Sequence, residues 1–452
     1  MTLDTPGTSR TQPWVSWLLI AIVVLFALWL RWYYVVSVQV LQPAYLPGAR
    51  GDAVDYYRYA WNMLYHGVFS HALPGPAAVA PDSFRDPGYP ALMAVVLKAA
   101  GGDWDVFYGT LLLTQAALGA CTVGFLLVVA RCVLGFGWMI AAGIAMAVWP
   151  HSVAAASFLL SESLLAFLLA LGLMCLALAS DRAQRGWLIA AGLVFSMAAL
   201  TNAVVTPFAP LAALALGWKG AIPKRFALIL AFASLLGPGA WAIRNATIPP
   251  AESAGERVAI NLVQGSWPNY HADYQLAMKG DPVAQSSMEA IDRDISRFGE
   301  GPSAGLSALW SRLRASPWKY LGWYLGKPAL LWSWDIRMGQ GDIYVYPTRK
   351  SPYITDAWLR VLWAVARAAN GLLGVLAVLG SILAIVSLTR KQTSLLAPGA
   401  LLLAMATAIY AVLQSEPRYA IALRGVEILV AFSAMAWLAG QVNVLRKRER
   451  SH

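Results

Sequence analysis

WVSWLLIAIVVLFALWLRWYYVV, residues 14–36, decides the fold class, because it is a long apolar run of membrane-spanning length near the start of the chain. A helix needs about 20 apolar residues to cross a hydrocarbon core. The run is too long for a signal-peptide core and has no clear cleavage site after it. With only Arg10 as a basic residue before it, it reads as a retained first transmembrane helix. Working outward, apolar runs recur at 106–130, 155–179, 226–243, 358–388, 395–414 and 419–441. Shorter or interrupted runs lie at 137–150, 186–201 and 203–218, the last two separated by the Thr201-Asn202 link. The expectation is an all-α polytopic membrane protein with a bundle of about ten transmembrane helices.

Composition agrees. The 452 residues are 59% hydrophobic and 13% charged, against about 45–50% and about 25% in soluble domains. That excludes an ordinary soluble enzyme and, equally, a disordered chain. The formal net charge of +11 is spread over short links and tails rather than gathered on one face, so nucleic acid is not an expected partner. The three cysteines, Cys121, Cys132 and Cys175, sit in or beside apolar runs without CxxC spacing, which indicates neither a zinc site nor a disulfide framework.

Charge placement gives the orientation. Arg131, the link from Asp181 to Arg185, Lys219, Lys224, Arg225, Arg390, Lys391 and the tail from Arg446 to Arg450 all fall on one side of a ten-helix count. The opposite short links, around His151, Asn202 and Glu416-Pro417-Arg418, hold one basic residue between them. Positive charge stays in the cytoplasm. The chain therefore divides into a cytoplasmic terminus with the first helix (1–36), an exported loop (37–105), a helix array (106–243), a second exported loop (244–357), carboxyl-terminal helices (358–441) and a basic tail (442–452).

Polar chemistry concentrates in the two exported loops, and long loops are usually functional. In the first, the stretch from Gly51 to Gly67 reads as a surface helix with Asp52 at its start and Gly67 just past its end. Helical spacing places Asp52, Asp55, Tyr56 and Tyr59 along one side and Ala60, Met63 and Leu64 in an apolar strip. Asp52 has two readings, an N-cap and a functional carboxylate at the membrane boundary. Arg85 either pairs with Asp55 or Asp86, or binds a phosphate through its planar fork. Glu162, beginning a membrane helix, is costly there, at roughly 2.5–3.5 kcal/mol on insertion scales, and so either faces a site or sits at the boundary. Arg424 and Glu427, spaced i and i+3, predict an intrahelical pair. In the second loop, Pro282 to Phe298 reads as an amphipathic helix over the membrane, and Pro317 to Trp334 as interfacial. Trp267, Tyr270, Trp332 and Trp334 are either membrane anchors or platforms for a sugar ring. The second loop is expected to form a lid rather than a soluble module.

Taken in order, a first membrane helix, an exported Gly51-Asp52-Ala53-x-x-Tyr56, then Arg85-x-Pro87-Gly88-Tyr89-Pro90, Ser161-Glu162 opening a helix and Trp241-Ala242-Ile243-Arg244-Asn245 closing one resemble the GT-C glycosyltransferases that use polyprenyl-phosphate sugars, such as protein O-mannosyltransferases and lipid A aminoarabinose transferases. The match covers about residues 14–245; beyond it, Glu416-Pro417-Arg418-Tyr419 adds support. The resemblance implies a GT-C-like bundle with interfacial helices in its loops. It also implies an inverting displacement at the anomeric carbon, on the extracytoplasmic face of what would be a bacterial inner membrane. Asp52 matches the family's catalytic carboxylate. Many relatives carry two adjacent acids there, whereas here Ala53 follows and the second acid is Asp55. Arg85, Arg244 and Arg418 become candidates for the donor phosphate, and Tyr56, Tyr89, Glu162, Asn245 and Tyr419 for substrate contacts. The implied partners are a polyprenyl-phosphate sugar, a lipid, glycan or protein acceptor, and membrane lipids. No cofactor is specified, and a divalent cation held by a carboxylate pair is left open. A flippase for a lipid-linked saccharide and a non-catalytic membrane scaffold are the competing classes.

Overall fold

The computed structural model describes residues 13–41, 51–182, 185–248, 253–389 and 395–449. Arg390, Lys391 and Arg450, part of the charge pattern that orients the chain, lie outside the described residues, as does Arg10. The chain is helical nearly throughout. Helix α1 (Pro13–Ser37) leads into the first loop, which carries α2 (Asp52–Tyr65) and α3 (Gly88–Ala99). The array follows as α4 (Trp104–Val133), α5 (Phe136–Val148), the short α6 (Pro150–Ala154), α7 (Glu162–Arg182), α8 (Arg185–Thr201), α9 (Phe208–Trp218) and α10 (Lys224–Ala246). The second loop contributes α11 (Ala254–Gly265), α12 (Tyr270–Ala277), α13 (Pro282–Glu300), α14 (Pro302–Ala315), α15 (Pro317–Leu331) and the one-turn α16 (Pro352–Thr355). Helices α17 (Ala357–Thr389), α18 (Ala397–Val412) and α19 (Arg424–Glu449) close the bundle, and α19 runs on through most of the expected tail.

Among the described residues, six helices are long and apolar enough to cross a membrane, and a seventh if the bent pair α5 with 150–157 is one span. The three expected segments at 186–201, 203–218 and 395–414 are also helical but shorter. Two runs depart from expectation. The segment at 137–150 bends by 50° where Pro150 opens α6, because proline cannot donate to the preceding turn and disfavours helix at the residue before it. The run at 155–179 becomes helix only at Glu162, after a 3₁₀ turn at Ala155–Ser157. That shift sets Glu162 in the first turn of α7, where a carboxylate suits the helix dipole.

Helices meet through small residues, as membrane bundles do without a strong hydrophobic drive between helices. A Cβ on Gly192 of α8 would lie 2.6 Å from Ala233 Cβ of α10. Arg31 is buried in α1 at 1% exposure, its guanidinium donating to the Ala27 and Ala147 carbonyls at 3.1 and 2.9 Å. Two devices tie the loops down. Antiparallel strands β1 (Gln39–Val40) and β2 (Thr348–Arg349) pair the exit of α1 with the end of the second loop. Buried Lys327 of α15 donates to the carbonyls of Gly265 at 2.9 Å and of Leu413, joining the ends of α11 and α18. The second loop is helical, as its patterning predicts, with Val263, Tyr270 and Ile291 forming a small core of their own.

Candidate active site

Helix α2 begins at Asp52 after Gly51, whose φ of 123° belongs to glycine. The N-cap reading of Asp52 is corrected here: Gly51 is the cap, and the Asp52 side chain turns to two arginines instead. Its Oδ1 lies 2.8 Å from Arg85 Nη2 and its Oδ2 2.6 Å from Arg418 Nη2. Arg85 also donates to Asp55 Oδ2 from Nε at 3.0 Å and from Nη2 at 2.6 Å. Arg418 Nε donates to Glu162 Oε1 at 2.7 Å. Three carboxylates and two guanidiniums thus form one continuous cluster, drawn from α2, the turn before α3, the start of α7 and the 3₁₀ turn Pro417–Leu423 ahead of α19. Side chains in it are 10–27% exposed, so the charges are shielded yet reachable. Glu162 Oε2 is buried without a hydrogen-bond partner.

Burial pushes the Asp52 carboxyl up, but Arg85 and Arg418 outweigh it and hold the group well below the usual carboxylate range. Against the pull of burial, Asp52, Tyr56 and Asp55 hold Arg85 above its ordinary value. Burial, then the Asp52 charge, pushes the Tyr56 phenol up to about 12. The Arg85 guanidinium stands 5.7 Å from the Tyr56 ring centroid, and Tyr89 meets Tyr56 edge-on at 5.1 Å. Tyr89 is fully buried, its hydroxyl donating to Gln115 Oε1 at 2.8 Å, so it stands behind Tyr56. Tyr419, beside Arg418, stacks on Tyr410 at 5.0 Å and donates to Gln414 Oε1 at 3.2 Å.

Arg244 and Asn245 are placed elsewhere. Arg244 donates to the Asp82 and Phe69 carbonyls at 2.5 and 3.4 Å and to Asn245 Oδ1 at 3.0 Å, with its guanidinium 5.4 and 4.6 Å from the Phe69 and Trp241 rings. It clamps the segment that leads to Arg85. Asp82 organises that same segment: it accepts from the Tyr59 hydroxyl and lies 2.7 Å from His71 Nδ1. Burial raises its carboxyl, and the His71 and Tyr59 hydrogen bonds more than reverse that. Tyr59 is fully buried, and its hydroxyl is committed to Asp82.

Other neighbours separate as well. Asp86 pairs with Arg257 at 2.7 Å rather than with Arg85. Glu416 does not neutralise Arg418; it accepts from the Arg337 amide at 2.7 Å and lies 3.1 Å from His271 Nε2. His151 is buried against the Trp334 carbonyl at 2.8 Å. Tyr270 and Trp334 are buried within the protein, and neither offers a face to a sugar. Sequence reading missed Tyr346, whose hydroxyl accepts from the Ala53 amide at 3.3 Å, because no spacing links it to α2. It also passed over Arg31, although a charge inside an apolar run is itself a signal.

The carboxylates of the cluster are already engaged by arginines. Both Asp52 oxygens sit on guanidiniums, and among the described residues no group of three or more His, Cys, Asp or Glu side chains is placed to hold a metal ion. The divalent cation left open by the sequence does not fit these residues as they stand.

Architecture and site together define a polytopic membrane protein of GT-C fold. No protein-family model matches the chain, and no curated protein matches it. Among solved structures, the oligosaccharyltransferase of Archaeoglobus fulgidus tethered to an acceptor peptide aligns over 96% of this chain and 51% of its own, with a TM-score of 0.51 at 14% identity. The same enzyme, AglB, in complex with an inhibitory peptide and a dolichol-phosphate aligns over 98% and 52%, with a TM-score of 0.50 at 15% identity. ArnT from Cupriavidus metallidurans bound to undecaprenyl phosphate aligns over 93% and 78%, with a TM-score of 0.38 at 16% identity. The chain spans about half the length of the oligosaccharyltransferase. At these identities the likeness is one of fold, and the fold is the one the sequence motifs imply.

Proposed function

We propose that the chain is an integral-membrane inverting glycosyltransferase that moves a sugar from a polyprenyl-phosphate donor to a lipid, glycan or protein acceptor on the extracytoplasmic face, in a bacterial inner membrane. The observation that carries this reading is the Asp52–Arg85–Arg418–Glu162 cluster, assembled from distant parts of the chain around one partly exposed carboxylate. The complex of the similar-folded AglB with a dolichol-phosphate supports a lipid phosphate as the donor's leaving group.

The chemistry follows from charge. Attack by the acceptor X–H forms the C1–X bond and breaks the bond from C1 to the phosphate oxygen. The electron pair leaves on the lipid phosphate, and the proton passes to Asp52, a base on a rigid helix start. Arg85 and Arg418 stabilise the charge that grows on the departing phosphate, where preorganised donors act most strongly. Tyr56 braces Arg85 by its ring. Arg244 acts as a positioning residue through the loop it clamps.

The test is transfer in proteoliposomes with a panel of polyprenyl-phosphate sugars, following released lipid phosphate by mass spectrometry for wild type and Asp52→Asn. Release that depends on Asp52 is expected. Translocation of the lipid-linked sugar without a change of mass would replace this reading with a flippase.

A further inference from the structure

Among the described residues, the ion pairs of Arg85 and Arg418 are all with carboxylates, and Asp52 takes one from each arginine at 2.8 and 2.6 Å. Asp55 engages Arg85 through Nε and Nη2, and Glu162 engages Arg418 through Nε. The cluster therefore carries one more negative charge than positive before any ligand arrives. A phosphate brought beside it meets repulsion from three carboxylates and finds the forks that would hold it occupied.

We propose that Asp52 is the resting occupant of the anion site formed by Arg85 and Arg418, and that a lipid phosphate binds there by displacing the Asp52 carboxylate from the two guanidiniums. This rests on the function proposed above and adds a second role for the same residue. Asp52 is counterion to the arginines in the empty site and becomes the proton acceptor once the phosphate has taken its place. The exchange orders the reaction: the phosphate of the donor frees Asp52, so a competent base exists only when a donor is bound. It also balances charge. As the phosphate gains a negative charge on leaving, the acceptor's proton removes one from Asp52. The geometry permits the exchange because Asp52 is the most exposed of the carboxylates at 27%, while Glu162, at 10%, is held deeper.

The experiment is equilibrium binding of a polyprenyl monophosphate in detergent micelles, with the corresponding polyprenyl alcohol as control. Wild type is compared with Asp52→Asn, Glu162→Gln and an Arg85→Gln/Arg418→Gln double variant, each checked for a monodisperse elution profile and a cooperative melting transition. Asp52→Asn is expected to bind the phosphate on the order of tenfold tighter than wild type while failing to transfer sugar. Glu162→Gln, which releases only one contact of Arg418, should tighten binding by less, and it carries the test should Asp52→Asn not fold. Equal or weaker binding by the folded carboxylate variants overturns the displacement and leaves the glycosyltransferase reading standing. Failure of every protein to prefer the phosphate over the alcohol, or undiminished binding by the double arginine variant, overturns both.

Discussion

Arg418 and Arg424 stand at the two ends of one 3₁₀ segment, Pro417–Leu423 with Arg424 opening α19, and they are used in opposite ways. Arg424 is sealed: its side chain is 0% exposed and pairs with Glu427 of its own helix at 2.8 Å. It also donates to the Ser333 carbonyl at 2.9 Å, pinning the end of α15. Arg418 is 15% exposed and shares its charge with Asp52 and Glu162, which come from other segments of the chain. The sealed pair is closed to solvent and to any ligand, and works as an anchor. The open cluster binds its carboxylates where solvent and substrate can compete for them. Proximity in sequence thus says little about role; accessibility of the charge decides it.

The strongest way to break this comparison is at Asp52. Asp52→Asn, correctly folded, is expected to lower the transfer rate by about 10²–10⁴-fold, read as lipid phosphate released per folded protein. Arg418→Gln comes next, with a loss of about 10²–10³-fold in kcat/KM, the scale of a missing preorganised donor. At the sealed pair the expectation reverses. Glu427→Ala leaves an uncompensated buried arginine and should cost about 3–5 kcal/mol of stability, seen as a lower melting temperature, with transfer per folded molecule unchanged. Replacing both members, Arg424→Met with Glu427→Leu, should recover most of that stability, whereas no paired replacement of Arg418 and Glu162 by apolar residues should recover transfer.

The smallest effect is in pH. The folded-state carboxyl of Asp52 is depressed, so its stabilising contribution is fully present above the unfolded value of about 3.9 and is lost only as pH falls through the lower folded value. The difference in melting temperature between wild type and Asp52→Asn should stay flat from pH 7 to about pH 4.5 and narrow below about pH 4. A difference that shrinks already near pH 6 would show that the two arginines do not hold Asp52 in solution.

Much of the architecture could be read from apolar run lengths, since each expected segment is helical and the loops lie where polar residues concentrate. The local pair Arg424–Glu427 was legible too, because i and i+3 neighbours meet on any helix. The kinked segment before Pro150 and the late start of α7 were not, since hydropathy averages over backbone direction. Of the site, the motifs around Asp52, Arg85 and Arg418 named the residues, while their partners escaped. Asp86 looked as good a mate for Arg85 as Asp55, and no spacing linked Glu162 to Arg418. Arg244 looked like a phosphate ligand, although its guanidinium holds the Asp82 carbonyl.

By itself, then, the sequence determined a helical membrane protein, its two long loops and the residue types gathered in them. Those follow from hydropathy, which is a sum over neighbours along the chain. Tertiary structure alone decided that Asp52 sits between two arginines, that Arg244 clamps a loop and that Tyr89 is shut away behind Tyr56. Those pairings join segments far apart in the chain, and a side chain's partner is set by how the helices pack, which no local pattern records.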